Sequence, residues 1–160
     1  MKYTLLFLLL LLASCSVESN SNVILNAVPY IGKTETSNQQ ELAAYMGIDP
    51  KHTEWCAAFV NAVLHESNIA GSETVSDNPL LARSFLKWGY KIDTKNIKSG
   101  DLVIFPRGNT KWEGHVGFYL KTVDVNGTIY YAILGGNQSN QVSIELYKAD
   151  TVLGIRRISM

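Results

Sequence analysis

Cysteine and histidine are scarce in this chain. Its 160 residues hold two cysteines, Cys15 and Cys56, and three histidines, His52, His65 and His115. No Cys-x-x-Cys or His-Glu-x-x-His is present, so no metal site is expected. A phosphate-cradling glycine loop is also missing, and nothing in the sequence asks for a cofactor. Charge of one sign is not in excess either, with fourteen Lys plus Arg against fourteen Asp plus Glu. That balance removes the basic surface that nucleic-acid binding needs. There is no internal repeat and no long low-complexity run. What remains is an ordinary apolar content with 10% aromatics, which suits one globular domain with one substantial core.

The amino terminus stands apart from that domain. Lys2 precedes a stretch from Tyr3 to Leu12 that carries seven leucines and no charge. It is short for a bilayer span and suits the apolar region of a signal peptide. Leu12-Ala13-Ser14-Cys15 resembles a bacterial lipobox, which implies cleavage before Cys15 and lipidation of that cysteine. An ordinary signal peptide cleaved nearby and a short uncleaved anchor are the alternatives. The expected division is a signal peptide over 1–14, a lipidated tether over 15–24 and a folded domain over 25–160. A lipidated Cys15 leaves Cys56 as the mature chain's one thiol. A solitary thiol in an exported protein is a candidate reactive group. The competing possibility is a Cys15–Cys56 disulfide.

Helical signals come first. Val23, Ile24, Ala27, Tyr30 and Ile31 share one helix face, disturbed by Pro29. Gln39 to Met46 reads as a short helix stopped by Gly47. Thr53 offers a cap for a helix through Cys56 to about Ser67, with Val60, Val63 and Leu64 on its inner face. Pro79 can open another helix through Trp88, closed by Gly89. After Lys91 the pattern turns to strands, at 102–105, 115–120, 129–134, 142–147 and 152–155. On the second of these, Val116, Phe118 and Leu120 fall on one face, His115, Gly117 and Tyr119 on the other. Asn126-Gly127 marks a tight hairpin. Helices followed by an antiparallel sheet make the class α+β.

Cys56 falls in a helix's first turn, where the dipole and free N–H groups favour a thiolate. Such a cysteine is either a nucleophile or a small buried hydrophobe. A thiol hydrolase also needs an imidazole and a polar group to orient it. His115 opens a strand and Asn137 ends the hairpin's return strand. Both lie about eleven residues from the Asn126-Gly127 turn, so pairing brings them to one end. His115 could instead be a polar strand-end residue, and Gly135-Gly136 a bulge or turn with Asn137 a surface residue. His52, four residues before Cys56, is a rival base, and His65 reads as a surface residue on the helix.

Trp55-Cys56-Ala57-Ala58-Phe59-Val60, Gly100-Asp101-Leu102-Val103-Ile104-Phe105 and Gly114-His115-Val116-Gly117-Phe118-Tyr119 occur in this order. With Leu134-Gly135-Gly136-Asn137-Gln138 and the stretch from Ala82 to Gly89, they resemble the CHAP and NlpC-type cysteine peptidases and amidases that cut peptidoglycan. The resemblance spans Asn26 to Arg157 and implies a papain-like fold, with N-terminal helices packed on an antiparallel sheet. It implies Cys56 as nucleophile, His115 as base and Asn137 as the orienting residue. Many CHAP domains carry an acid two positions before that Asn, where this chain has Gly135. NlpC-type domains often have Asp-Cys-Ser where this chain has Trp55-Cys56-Ala57.

The expectation is therefore a monomeric, lipid-anchored peptidoglycan hydrolase of the cell envelope, cutting an amide in or next to the stem peptide. Trp112 and Tyr119 are expected to line its groove, and Gln138 is a candidate oxyanion or substrate contact. A depressed Cys56 pKa is expected from its helix position. A non-catalytic wall-binding lipoprotein on the same fold and an antibacterial wall-degrading toxin are the alternatives.

Overall fold

The computed structural model describes residues 22–158. The signal-like segment and Cys15 lie outside the described residues. Helix α1 covers 22–27 and passes into a 3₁₀ turn at Val28–Tyr30, where Pro29 sits in the first turn. Val23, within the span assigned to the tether, is fully buried, so the packed domain reaches further back than residue 25. Helix α2 (Gln39–Met46) ends at Gly47, whose left-handed backbone returns its N–H to Ala43. Helix α3 (Cys56–Glu66) follows.

Six strands form one antiparallel sheet in the order β1-β6-β2-β3-β4-β5. They are β1 (Tyr90–Lys91), β2 (Leu102–Pro106), β3 (Gly114–Val125), β4 (Thr128–Gln138), β5 (Gln141–Lys148) and β6 (Gly154–Arg157). Val125 pairs with Thr128 across Asn126 and Gly127, both at positive φ, as a two-residue hairpin of this hand requires.

Helix α3 is the hub. Every residue from Cys56 to Leu64 is buried, not one face alone. One side meets Leu102, Ile104, Val116, Phe118 and Leu134 of the sheet. Elements from both chain directions cover the rest, so the helix runs through the core and is not amphipathic. The sheet's second face carries its own cluster of Val103, Phe105, Tyr119, Tyr131, Ile133 and Ile155. The alternation expected along β3 is thus observed, with His115 and Tyr119 on the side away from α3.

Two helix expectations change. Thr53 does not cap α3; the cap position belongs to Trp55, and no side chain bonds there. Trp55 is fully buried and its indole N–H donates to Glu35, so its anchorage sets the helix start. The segment after Pro79 forms a 3₁₀ helix, Ala82–Lys87, instead of an α-helix. Ser84 helps hold that tighter winding by donating its hydroxyl to Leu81 O, three residues back.

Candidate active site

Cys56 opens α3 as a buried free thiol. Its sulfur lies 3.9 Å from Gly114 O. Gly114 and Val116 flank His115 in β3, while the imidazole itself lies on the face of Phe105 and Tyr147. Burial pushes the Cys56 thiol up from its ordinary value, and the Arg107 guanidinium and the Val116 and Ala57 backbone amides oppose that rise. The expected depression is therefore not found, because loss of hydration outweighs the helix end. Burial likewise lowers His115 to about 4, with Arg107 adding to the effect. Thiol and imidazole are both neutral at neutral pH.

The imidazole is held by two contacts. It stacks on Tyr147 at 5.1 Å, and Tyr147 stacks on Phe105. Its Nε2 lies 3.0 Å from Oε1 of Gln138. The Gln138 amide nitrogen is committed to Ile133 O and Ser143 O, which fixes Oε1 as the atom facing the ring. An amide oxygen only accepts, so Nε2 must carry the hydrogen. The other ring nitrogen, Nδ1, is then the basic one, and it is buried with no hydrogen-bond partner.

Gln138, not Asn137, thus orients His115. The reason is local. Asn137 has a left-handed backbone, φ 55°, within a register shift between Gly135 and Gln138. The extra residue breaks the period-two alternation, so Gln138 joins Gly135 on the imidazole side. A Cβ on Gly135 would meet Gln138 Oε1 and His115 Nε2 at 3.2 and 3.4 Å, whereas one on Gly136 would meet Trp55 and Phe59. Asn137 turns away and donates from Nδ2 to Glu54 Oε2 at 2.6 Å. Its backbone oxygen accepts from Arg107 Nη2 at 2.7 Å.

A groove of about 310 Å³ runs beside the sulfur, with Glu54, Arg107, Trp112 and Asn137 among its walls. Trp112 stands there exposed, as expected. Tyr119 does not: it is buried in the second core, and its hydroxyl bonds Thr122. Gln138 is fully buried, so the substrate contact expected of it gives way to its bond with His115. His52 is a surface residue on Asp49, and His65 an exposed partner of Glu73. Arg107 was not anticipated. It follows Pro106 in a loop, and only the β2–β3 pairing carries it to Cys56. Among the described residues, no group of three His, Cys, Asp or Glu could hold a metal ion.

The CHAP domain model matches residues 48–137, from the turn before α3 to the end of β4. No curated protein sequence matches. Solved structures share the fold, and three of them are as follows. A protein described as similar to a lipoprotein of the NLP/P60 family, from Staphylococcus aureus, has TM-score 0.58 and 17% identity. That alignment covers 89% of this chain and 42% of the staphylococcal one. The P60 domain of an antigen from M. avium paratuberculosis has TM-score 0.60 and 13% identity, covering 93% of this chain and 99% of that domain. A hypothetical invasion protein of Mycobacterium tuberculosis has TM-score 0.58 and 18% identity over 91% of this chain and 64% of that one. At such identities these three speak for the fold. The family match spans more than half the chain, with the buried thiol and imidazole inside it; the chain belongs to the CHAP domain family.

Proposed function

We propose that this protein cuts an amide bond in or next to the peptidoglycan stem peptide through Cys56, His115 and Gln138. The observation that carries this reading is the commitment of His115 Nε2 to Gln138, which leaves Nδ1 as the unpartnered, proton-accepting nitrogen of the residue that follows Gly114, whose carbonyl contacts the sulfur. Nδ1 takes the Cys56 proton as sulfur attacks the amide carbonyl. The new C–S bond forms, and the C–N bond breaks as Nδ1–H gives its proton to the leaving amine. Water then gives a proton to Nδ1 and its oxygen to the acyl carbon. The C–S bond breaks, and the sulfur takes the proton back. A neutral resting pair suits this sequence, because charge appears only once substrate is engaged. No side chain caps α3, so the N–H of Cys56 is free to donate to the developing oxyanion.

In this reading the enzyme is anchored in the cell envelope by lipid on Cys15, on the strength of Leu12-Ala13-Ser14-Cys15. Digesting purified peptidoglycan and weighing the fragments tests the chemistry. Fragments with new free amines, present with wild type and missing with Cys56→Ala, are expected; undigested wall would overturn it. Incorporation of labelled fatty acid into wild type but not Cys15→Ala tests the anchor.

A further inference from the structure

Beside the sulfur, a glutamate of the protein itself occupies a place built for a carboxylate. Glu54 Oε2 accepts from Asn137 Nδ2 at 2.6 Å and stands 3.5 Å from Arg107 Nη1. Two donors from different elements therefore converge on one carboxylate oxygen. Both donors are held from behind. Arg107 Nη2 donates to Asn137 O, which ties guanidinium and amide into one unit. Arg107 Nη1 is shielded from solvent and makes no hydrogen bond of its own.

The glutamate is held far less firmly. Glu54 is 82% exposed in its side chain, so swinging into water costs it little. The remaining acid of the groove, Glu113, is engaged elsewhere, its carboxylate accepting from the amide and hydroxyl of Thr110. Arg107 is the groove's one cation among the described residues.

We infer that Arg107 Nη1 and Asn137 Nδ2 form a subsite for a substrate carboxylate next to the scissile amide, and that Glu54 is its resident occupant in the free enzyme. The substrate class is an acidic peptide whose carboxylate displaces Glu54 on binding. This rests on the proposed amide hydrolysis and adds to it the charge of the residue beside the cut.

The test uses catalytically silent Cys56→Ala protein and two synthetic peptides, L-Ala–D-Glu–L-Lys with a free α-carboxylate on its γ-linked glutamate and the same peptide with that group as a carboxamide. Calorimetry should show the acid binding about tenfold or more tighter than the amide, as a charge-assisted contact with arginine gives. Arg107→Gln in that background should erase the difference. Glu54→Gln should tighten the acid several-fold and leave the amide unchanged, an effect no loss of folding can imitate. Equal binding of the two peptides, or a preference that survives Arg107→Gln, overturns the subsite even if peptidoglycan is still cut. An equal fall in kcat with both peptides for Arg107→Gln, in the protein that retains Cys56, at unchanged KM, makes Arg107 a support for the sulfur and also overturns it. Failure of both peptides to bind, together with undigested wall, overturns the hydrolase reading beneath it.

Discussion

Two neighbouring amides, Asn137 and Gln138, divide the work of the site between them. Gln138 holds the imidazole, and Asn137 faces the groove. Cys56→Ser and His115→Ala should each abolish most hydrolysis, the latter by about a hundred- to ten-thousand-fold. Gln138→Ala should follow His115→Ala part of the way in kcat, because a free ring finds Nδ1 aligned only some of the time. Gln138→Glu separates orientation from charge. A carboxylate still accepts from Nε2 and also favours the imidazolium, so it should raise the His115 pKa from about 4. Activity needs the neutral ring, so the acid limb of kcat/KM against pH should move upward. An unchanged limb in Gln138→Glu, with a shifted one in Asn137→Asp, would return the orienting role to Asn137.

At the scale of elements, the site depends on α3 seating firmly against β3 and β4. Gly136 allows that seating, since a Cβ there would come within 2.6 Å of Phe59 Cβ and 2.7 Å of the Trp55 ring. Gly136→Ala should lower stability by about 1–3 kcal/mol, the usual cost of overpacking, and reduce activity by displacing Cys56. A denaturant midpoint equal to wild type would show that the helix has more slack than this. The far side of the sheet has a different fastening. Asp101 is fully buried and paired with Arg157 through two contacts, Nε to Oδ1 at 2.7 Å and Nη2 to Oδ2 at 2.8 Å. It also accepts from the Lys98 amide, which ties the turn before β2 to β6. Arg157→Met strands that carboxylate and should cost about 3–5 kcal/mol in urea unfolding, while Arg157→Lys should cost less.

For the molecule as a whole, the buried imidazole links folding to pH. His115 falls from 6.5 to about 4 in the folded chain. Between those values the unfolded chain binds the extra proton, so stability rises with pH across that window. The stability is fully present above about 6.5 and is lost as pH falls toward 4. At about 1.4 kcal/mol per pKa unit the swing is about 3 kcal/mol. Stability measured by urea unfolding from pH 4 to 7 should rise by that order in wild type. The rise should flatten in His115→Gln, whatever that variant's overall stability. Asp49, which His52 and Gln39 hold at about 2, titrates below this window and should not blur it.

The order of elements, the Asn126-Gly127 hairpin and the faces of β3 were all legible in the sequence. Each depends on short-range information, such as a period of two or a turn that demands positive φ. Three features were decided only by the tertiary structure. Burial of α3 on all sides comes from layers contributed by distant segments, and it reversed the expected direction of the Cys56 shift. The exchange of Asn137 for Gln138 comes from one left-handed residue, and one residue is enough to turn every later side chain to the other face. Arg107 and Glu54 are far apart in sequence and meet only because β2, β3 and β4 lie side by side against the start of α3. No local pattern records such a meeting, because it is produced by strand register and not by the residues' neighbours in the chain.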